Sequence, residues 1–380
     1  LDPLPDPVDC AFVPLFGWVR AARPVAIEVA VLGRAVGHEE HPRADLALHH
    51  PDLFTTGWYA VADLAAIADE VHANGDVLDY AVRIDGATWL EGRVPVLAEA
   101  LAEARSGPDR RRRKDSFVRR QSACPVCGAA MPIEGRPDVV HCGTCGTLYP
   151  QSTRALNLVP GAADVPRVLP TSLFRYSPDE RALIDEVERT GGMVLDYGAG
   201  LRATVEPAVV NLEIADYPTT DVVARGERLP FADGSFEAVI CVHVLEHLRR
   251  PWLAALEIQR VLRPGGRLLC TVPFITPEHG FPDHFFNMTR SGLASLFTDL
   301  RLERHWIKGD GVPINGVQQI LSTYYGSLEE PYRSAFGDLR VADLVHMPLP
   351  DLVAQDWAVH VPERLRWQAA AHTTVLMRKA

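Results

Sequence analysis

The feature that most constrains this chain is a short apolar run that ends directly in two closely spaced glycines. The run is 193–196 (MVLD), and it leads into 197–200 (YGAG). A short apolar run is typical of a buried strand, and glycines allow the backbone to turn tightly where a ligand approaches. The segment therefore predicts a strand that ends in a binding loop, as at the carboxyl ends of parallel strands.

Helix and strand patterns alternate from about residue 170 onward. Ser177-Pro178-Asp179-Glu180 has the serine cap, the first-turn proline and the glutamate of a helix start, and Gly191-Gly192 ends that helix. This alternation predicts an α/β fold with a doubly wound, mainly parallel sheet. The predicted strands are 193–196, 209–214, 221–223, 236–244, 267–274, 302–307 and 373–377, with a helix from 251 to 264 and a helical insertion at 309–370.

The glycine loop fits two classes of cofactor. Residues 198–203 follow the pattern G-x-G-x-x-A of dinucleotide-binding loops. Asp196 ends the first strand, and Glu213 follows near the end of the second, where a carboxylate can accept both ribose hydroxyls of either cofactor. The segments 228–236 and 244–247 discriminate between the classes and favour S-adenosylmethionine.

Residues 193–274 resemble the class I, S-adenosylmethionine-dependent methyltransferases of the type 11 group. The matching segments are VLDYGAG, VVNLEI, ERLPFADGSFEAVICVHVLEHL and EIQRVLRPGGRLLCTVPF. The resemblance implies a Rossmann-like sheet and S-adenosylmethionine as the cofactor. The cofactor-binding residues that it implies are Asp196, Gly198, Ala199, Gly200, Glu213, Glu227, Leu229, Pro230, Phe231, Val242 and His243.

Within this resemblance, Glu213 corresponds to the ribose-binding acid, and the segment 229–231 lies beside the adenine. Two positions depart from the family pattern. Leu201-Arg202 stands where the family has a further glycine, and Arg225 stands where many members have an acid, for which Glu227 can substitute.

The loop after the fifth predicted strand supplies candidates for the general base that accepts the acceptor's proton. This loop, 273–289, resembles the corresponding loop of a type 11 subgroup. The candidate catalytic residues in this loop are His279, Asp283 and His284, and His247, after the fourth predicted strand, is a further candidate. A loop-ordering role for the histidines, and a local structural role for Glu246, are the alternatives.

Four cysteines predict a structural zinc site. Cys124 and Cys127 form one C-x-x-C pair and Cys142 and Cys145 form another, and a glycine follows each pair. Four thiolates suit tetrahedral zinc and leave no open position for catalysis, whereas a redox dithiol is the alternative. Residues 124–160 resemble the zinc-ribbon activator subunit of tRNA and protein methyltransferases, and also the ribbon that opens certain ribosomal RNA methyltransferases.

The predicted domain boundaries place a mostly β, sandwich-like module at 1–105, a linker at 106–122, the zinc ribbon at 123–165 and the methyltransferase domain at 170–380. Short apolar runs and the turn Asp85-Gly86 indicate the β module. The linker contains six arginines and one lysine against two aspartates, which predicts an exposed basic hinge.

Charge and composition narrow the function. The net charge is −11, and because the hinge carries +5, the rest of the chain carries −16, which disfavours nucleic acid over the whole surface. An odd number of cysteines, seven in all, and the lack of a long apolar run predict a cytoplasmic protein with reduced thiols and no membrane span.

These observations predict a methyltransferase that acts on a hydroxyl of a small molecule or saccharide. The glycan part of this prediction rests on a weak resemblance of the N-terminal segment to modules of glycan-processing enzymes. Methylation of ribosomal or transfer RNA is the first alternative, favoured by the ribbon and the basic hinge. A binding protein that kept the fold but lost catalysis is the second, suggested by Arg202 and Arg225.

Overall fold

The computed structural model describes residues 8–42, 54–151, 153–161, 165, 173–225, 227–279, 283–309 and 311–371. The chain divides into two units. The first unit holds residues 1–242 and 253–270, and the second holds residues 243–252 and 271–380.

The N-terminal module consists of two antiparallel sheets, in agreement with the predicted mostly β, sandwich-like architecture. Side chains such as Leu15, Trp58 and Leu78 share one apolar core. The predicted turn at Asp85-Gly86 has the positive φ angles, 50° and 81°, that a tight hairpin requires. The strands are β1 (Phe12–Ala21), β2 (Ile27–Val31), β3 (Arg34–Val36), β4 (His38–Pro42), β5 (Phe54–Asp63), β6 (Val77–Ile84) and β7 (Ala87–Pro95), with helix α1 (Ala68–Ala73) before β6. The sheet orders are β1-β5-β4 and β3-β2-β6-β7.

The prediction that 106–122 is an exposed linker is wrong. Helix α2 spans Ala98–Gln121 and continues through Pro108. Gly107, Lys114 and Val118 are buried at spacings of seven and four residues, which places them on one face of the helix. Packing of this face outweighs the cost of about 3 kcal/mol that an interior proline carries.

The cysteine-rich segment contributes to two sheets. Strands β8 (Val139–His141) and β9 (Leu148–Pro150) pair as an antiparallel hairpin. Strand β10 (Leu156–Asn157) instead pairs in parallel with a strand of the large sheet, β15 (Val222–Val223). Part of the predicted ribbon therefore extends the sheet of the following domain.

The large sheet has six strands in the order β10-β15-β14-β12-β16-β17. The register from β10 to β16 is parallel throughout. The chain runs outward from β12 to β14 and β15 and then returns to β16, so the carboxyl end of β12 is the switch point where such folds bind ligands. The remaining bounds are β12 (Val194–Tyr197), β14 (Val209–Glu213), β16 (Phe236–Val242), β17 (Leu262–Thr271), α3 (Pro178–Arg189) and α4 (Pro251–Val261), and a small parallel pair joins β11 (Leu173–Phe174) to β13 (Leu201–Arg202).

Two strand predictions need correction, and one lies outside the described residues. The segment 302–307 is not a strand, and β17 begins at Leu262, within the segment predicted to end the preceding helix. The predicted strand at 373–377 lies outside the described residues.

The second unit is mostly helical among the residues that can be described. Its 3-10 turn spans Leu245–His247. Six helices occupy most of the predicted insertion at 309–370. The helices of this unit are α5 (Arg290–Ser295), α6 (Pro313–Ser327), α7 (Tyr332–Gly337), α8 (Val341–His346), α9 (Leu349–Val353), α10 (Asp356–Val359) and α11 (Glu363–Gln368). Across the described ranges, no helix is both long and apolar enough to cross a membrane.

Candidate functional site

The glycine loop leaves β12 with the left-handed backbone that its sequence predicts. Gly198 and Gly200 have φ angles of 68° and 63°, which side-chain-bearing residues rarely adopt. A Cβ on Gly200 would lie 3.1 Å from the ring of Phe174, so this position also needs glycine for space. The loop is thus closely packed under the β11 segment.

The backbone amides of this loop face the protein. The amides of Gly198 and Ala199 donate to the carbonyl of Leu212, at 2.9 and 3.3 Å. The amide of Gly200 donates to Oε1 of Glu213 at 2.8 Å. Neighbouring β14 therefore supplies the acceptors of these three amides.

Asp196 is buried in an ion pair that the sequence did not predict. Its Oδ2 accepts from the hydroxyl of Tyr176 and from Nε of Arg202, both at 2.8 Å. The guanidinium of Arg202 also lies 4.2 Å from the centre of the Tyr176 ring. The residue that replaces the family's third glycine thus neutralises the aspartate before the loop.

Glu213 stands at the carboxyl end of β14, beside the switch point. Its two oxygens accept from the amides of Gly200, at 2.8 Å, and Ile214, at 2.7 Å. Burial raises the pKa of the Glu213 carboxyl above its ordinary value, although these two amides act to lower it. Each carboxylate oxygen has a second lone pair, so Glu213 can still accept ribose hydroxyls.

Tyr197 provides a test of whether a polar cofactor fits here. Its side chain is buried, and its hydroxyl has no hydrogen-bond partner within the described part of the chain. Burial raises the pKa of Tyr197, and the nearby groups of Cys241, Glu227 and Glu213 raise it further. A buried hydroxyl without a partner is costly, so a polar ligand beside these acids fits the site.

Hydrogen bonds from Arg260 hold the segment that is predicted to lie beside the adenine. Arg260 donates to the carbonyls of Leu229, at 3.1 Å, and Phe231, at 2.7 Å. The ring of Phe231 is fully buried against Phe236, with centroids 4.9 Å apart. Phe231 is a core residue in this structure, and the cofactor roles of Leu229, Pro230 and Phe231 stay predictions, as do those of Glu227 and Val242.

The four cysteines converge as predicted. The four sulfurs all lie within 4.8 Å of one another. The sulfurs of Cys124 and Cys145 are 3.6 Å apart, and those of Cys127 and Cys142 are 3.7 Å apart. Sulfurs that bind one tetrahedral zinc ion at roughly 2.3 Å lie roughly 3.8 Å apart. The cluster is therefore compatible with zinc, whose binding remains a proposal.

Hydrogen bonds favour the thiolate form of Cys145. The hydroxyl of Thr147 lies 3.1 Å from the sulfur of Cys145, and its contacts lower the pKa of Cys145 to about 6. The amides of Gly128 and Gly146 donate hydrogen bonds of 2.7 and 2.9 Å that close the two C-x-x-C turns, called knuckles here. Both glycines have positive φ.

The first knuckle is joined to the adenine-side segment within the first unit. The amide of Ala123 donates to the carbonyl of Pro230, and the amide of Ala232 donates to the carbonyl of Gln121, at 2.9 and 2.8 Å. A Cβ on Gly128 would lie only 2.5 Å from the guanidinium of Arg228. These contacts connect the ribbon to residues 228–232.

The second unit gathers histidines around one buried carboxylate. Glu246 is fully buried, and neither of its oxygens has a hydrogen-bond partner among the described residues. Nδ1 of His243 and Nε2 of His247 lie 3.4 and 3.9 Å from Oε1 of Glu246. His243 has a φ of 56°, a strained value for a residue with a side chain.

His279 and His284 belong to the same cluster. Their ring centroids are 4.3 Å apart, and they lie 5.4 and 5.8 Å from the ring of His247. Burial, followed by the proximity of His279, lowers the pKa of His284 below the ordinary histidine value.

Three of the candidate bases thus lie together, whereas Asp283 contributes differently. The side chain of Asp283 is exposed, and its backbone carbonyl lies 2.7 Å from Nδ1 of His247. Glu246 is the central residue that the sequence prediction treated as structural. The H-x-x-E-H spacing at 243–247 is the signal that could have identified it.

Comparison with known proteins identifies the central part of the first unit. Residues 194–270 match the family described as "Methyltransferase domain". A protein named "Uncharacterized methyltransferase" from Mycobacteroides abscessus is 36% identical over 101 residues, which is 26% of this chain and 36% of that protein. Another of the same name from Mycolicibacterium gilvum is 49% identical over 45 residues, or 12% of this chain and 18% of that protein. The chain thus spans about a fifth to a third of these relatives.

Solved structures align weakly. The YcgJ protein of Bacillus subtilis aligns with 41% of this chain and 88% of its own, at 16% identity and a TM-score of 0.25. A putative methyltransferase from Bacillus halodurans aligns with 40% of this chain and 87% of its own, at 18% identity and a TM-score of 0.23. Scores this low carry no argument.

The sheet order and the glycine loop agree with the Rossmann-like class I methyltransferase sheet predicted from the sequence, and residues 194–270 are similar to methyltransferase domains. The predicted fold class is confirmed.

Proposed function

We propose that this protein is an S-adenosylmethionine-dependent methyltransferase that methylates a hydroxyl of a small molecule or saccharide. The observation that carries the methyltransferase part is the Glu213 carboxylate, tied to Gly200 at the switch point of a matched methyltransferase domain. When bound, the cofactor supplies an electrophilic methyl group on sulfur. The chain's residues hold the ribose and take the proton from the acceptor.

A hydroxyl acceptor needs a group that removes its proton. The histidine cluster of the second unit supplies the candidates for this task. The cluster begins at His243, the first residue after β16. We assign the proton-accepting role to this cluster.

A cytoplasmic location and a structural zinc ion complete the proposal. All seven cysteines are free thiols, which supports a reducing compartment. The four clustered sulfurs support zinc as a structural ion, because four protein ligands leave no open position.

RNA remains the second candidate acceptor, and one observation bears on it. Arg112, Arg113 and Arg120 of helix α2 are exposed and could contact phosphate. Arg110 and Lys114 are instead bound to Glu103 and Asp221, so the basic segment offers fewer free cations than its sequence indicates.

Calorimetry tests cofactor binding. We expect the wild-type protein to bind S-adenosylmethionine and Glu213→Ala to bind roughly 10- to 100-fold more weakly, because acceptors for the ribose are lost. The exposed Glu188 on α3 supplies the matched control Glu188→Ala, which should bind as wild type. No measurable binding by the wild type would sink both enzymatic functions and favour a binding protein.

A second experiment identifies the acceptor. The protein is incubated with methyl-labelled S-adenosylmethionine and a fractionated extract, and label is measured in each fraction. Label in saccharides or small molecules supports the proposal, and label in RNA replaces it with the alternative.

A further inference from the structure

The carboxylate of Glu246 is buried without the partners that a buried carboxylate normally has in a folded protein. It is fully buried, and its oxygens lack hydrogen-bond partners in the described part of the chain. The nearest imidazole nitrogens, 3.4 and 3.9 Å away, are too distant for strong hydrogen bonds. A buried carboxylate of this kind is neutralised either by a proton or by a cation beside it.

The tautomers of two histidines are set by their neighbours. Nδ1 of His247 lies 2.7 Å from the carbonyl of Asp283, and Nδ1 of His279 lies 3.0 Å from the carbonyl of Pro277. Because a carbonyl can only accept, each Nδ1 carries the proton. In the neutral rings, each Nε2 therefore presents a lone pair.

This arrangement is the usual one for histidines that bind metal, which commonly donate the second ring nitrogen to a carbonyl. One ligand atom each from Glu246, His247 and His279 lies within 4.8 Å of the other two. Ligands of one ion at roughly 2.1 Å lie roughly 3 to 3.4 Å apart. Small side-chain movements would close the difference.

The backbone holds these ligands in place. Glu246 and His247 lie in the 3-10 turn Leu245–His247, and the amide of Phe285 donates to the carbonyl of Glu246 at 2.7 Å. The amide of His279 donates to Nδ1 of His284 at 3.1 Å, so neutral His284 carries its proton on Nε2. That nitrogen is buried and lacks a partner among the described residues, so it is a donor for an oxygen bound at the cluster.

We propose that Glu246, His247 and His279 bind a divalent transition-metal ion, at a site separate from the four cysteines. Two imidazoles and one carboxylate suit zinc, iron(II) or cobalt(II) rather than magnesium, and they leave positions open for an exogenous oxygen ligand. Its use in catalysis rests on the proposed function: a bound metal lowers the pKa of a hydroxyl that it contacts. The binding itself is independent of methyl transfer.

Cobalt(II) titration of the full-length, zinc-loaded protein tests the proposal. We expect one equivalent to bind with visible bands of nitrogen and oxygen ligation and without the intense thiolate bands that a cysteine site gives. His247→Asn, His279→Gln and Glu246→Gln should each weaken binding at least 10-fold. Magnesium should not compete.

His346→Gln is the matched control. His346 is an exposed histidine of the second unit whose Nδ1 also lies near a carbonyl, that of Ala342, at 2.7 Å. It should leave cobalt binding unchanged. Since Glu246 is buried and its variant could fail to fold, the exposed His279 keeps the test decisive.

Three outcomes would overturn the proposal. They are no binding of cobalt to the zinc-loaded protein, equal binding by all the variants, or a thiolate spectrum. The first would mean that the cluster holds Glu246 without a metal ion. Metal binding without any methyl transfer would leave this proposal intact and refute the proposed function instead.

Discussion

At the scale of single residues, Glu213 is the group on which the proposed cofactor recognition depends. Burial raises its pKa, whereas ribose hydroxyls bind best to the charged carboxylate. Binding therefore favours ionisation and should lower this pKa again. The direction follows from linkage between ligand binding and proton release.

We expect affinity for S-adenosylmethionine to weaken as the pH falls through the raised pKa of Glu213, and binding near that pH to release a proton. Calorimetry in two buffers with different ionisation enthalpies measures this release. Glu213→Gln, which cannot ionise, should show neither effect. An affinity that stays constant down to the ordinary glutamate range would contradict the prediction.

Residue-level prediction succeeded where a residue type has few physical alternatives. Glycines at 198 and 200 and the four cysteines have the backbone or the sulfur convergence that their spacing indicated. The cofactor-binding role of Asp196 stays a prediction, and its ion pair with Arg202 was not predicted. The ion pair of Asp196 and Arg202 is a tertiary contact. The absence of a family glycine at position 202 does not reveal that contact.

At the scale of elements, helix α2 is held to the sheet by one buried cation. Nζ of Lys114 donates to the carbonyl of Val209 and pairs with Asp221, both at 2.6 Å, and Lys114 is 1% exposed. The helix thereby connects the β module to β14 within the first unit.

We expect Lys114→Ala to lower the free energy of unfolding by about 3–5 kcal/mol, because it leaves Asp221 buried without its counter-charge. The neighbouring exposed Arg113→Ala should stay within about 0.5 kcal/mol of wild type. Denaturant unfolding measures both. Adding Asp221→Asn to the lysine variant should recover part of the loss, and a loss unchanged by the second substitution would argue against the pair.

The contacts between the ribbon and residues 228–232 form a second connection between elements. We expect chelation of the metal to release the knuckle of Cys124 and Cys127, and hence the amides of Ala123 and Ala232. Their hydrogen exchange should accelerate by about 10-fold or more, because their acceptors lie across this connection. Mass spectrometry measures the exchange.

The amide of Ala81, in the β6 ladder of the N-terminal module, is the internal control and should not change. Unchanged exchange at Ala123 and Ala232 in a protein shown to have lost its metal would contradict the coupling.

At the scale of the whole molecule, the uneven charge acquires a different meaning. The +5 segment was predicted to be free, but its helix binds Arg110, Arg111, Lys114 and Arg119 to acceptors of the fold. Exposed basic charge is therefore smaller than composition suggests, which supports the proposed saccharide or small-molecule acceptor over RNA for this −11 chain.

We expect the double variant Arg112→Ser, Arg113→Ser to leave methyl transfer unchanged. Removing these exposed side chains tests phosphate contacts without disturbing the buried pair at Lys114. If RNA were the acceptor, the variant would lose affinity, and the salt dependence of binding would fall by about one unit of slope for each lost contact. Filter binding over a range of salt concentrations distinguishes the two results.

The sequence by itself determined the order of strands and helices from 178 to 261, the position of the glycine loop and the four-cysteine cluster. These depend on local periodicity, on glycine's backbone freedom and on the chemistry of thiols, all of which act over a few residues. Tertiary structure alone decided that the basic segment is a helix, that β10 extends the sheet and that Glu246 is surrounded by histidines. Burial and pairing between distant parts of the chain outweigh local preference, and no short stretch of sequence carries that information.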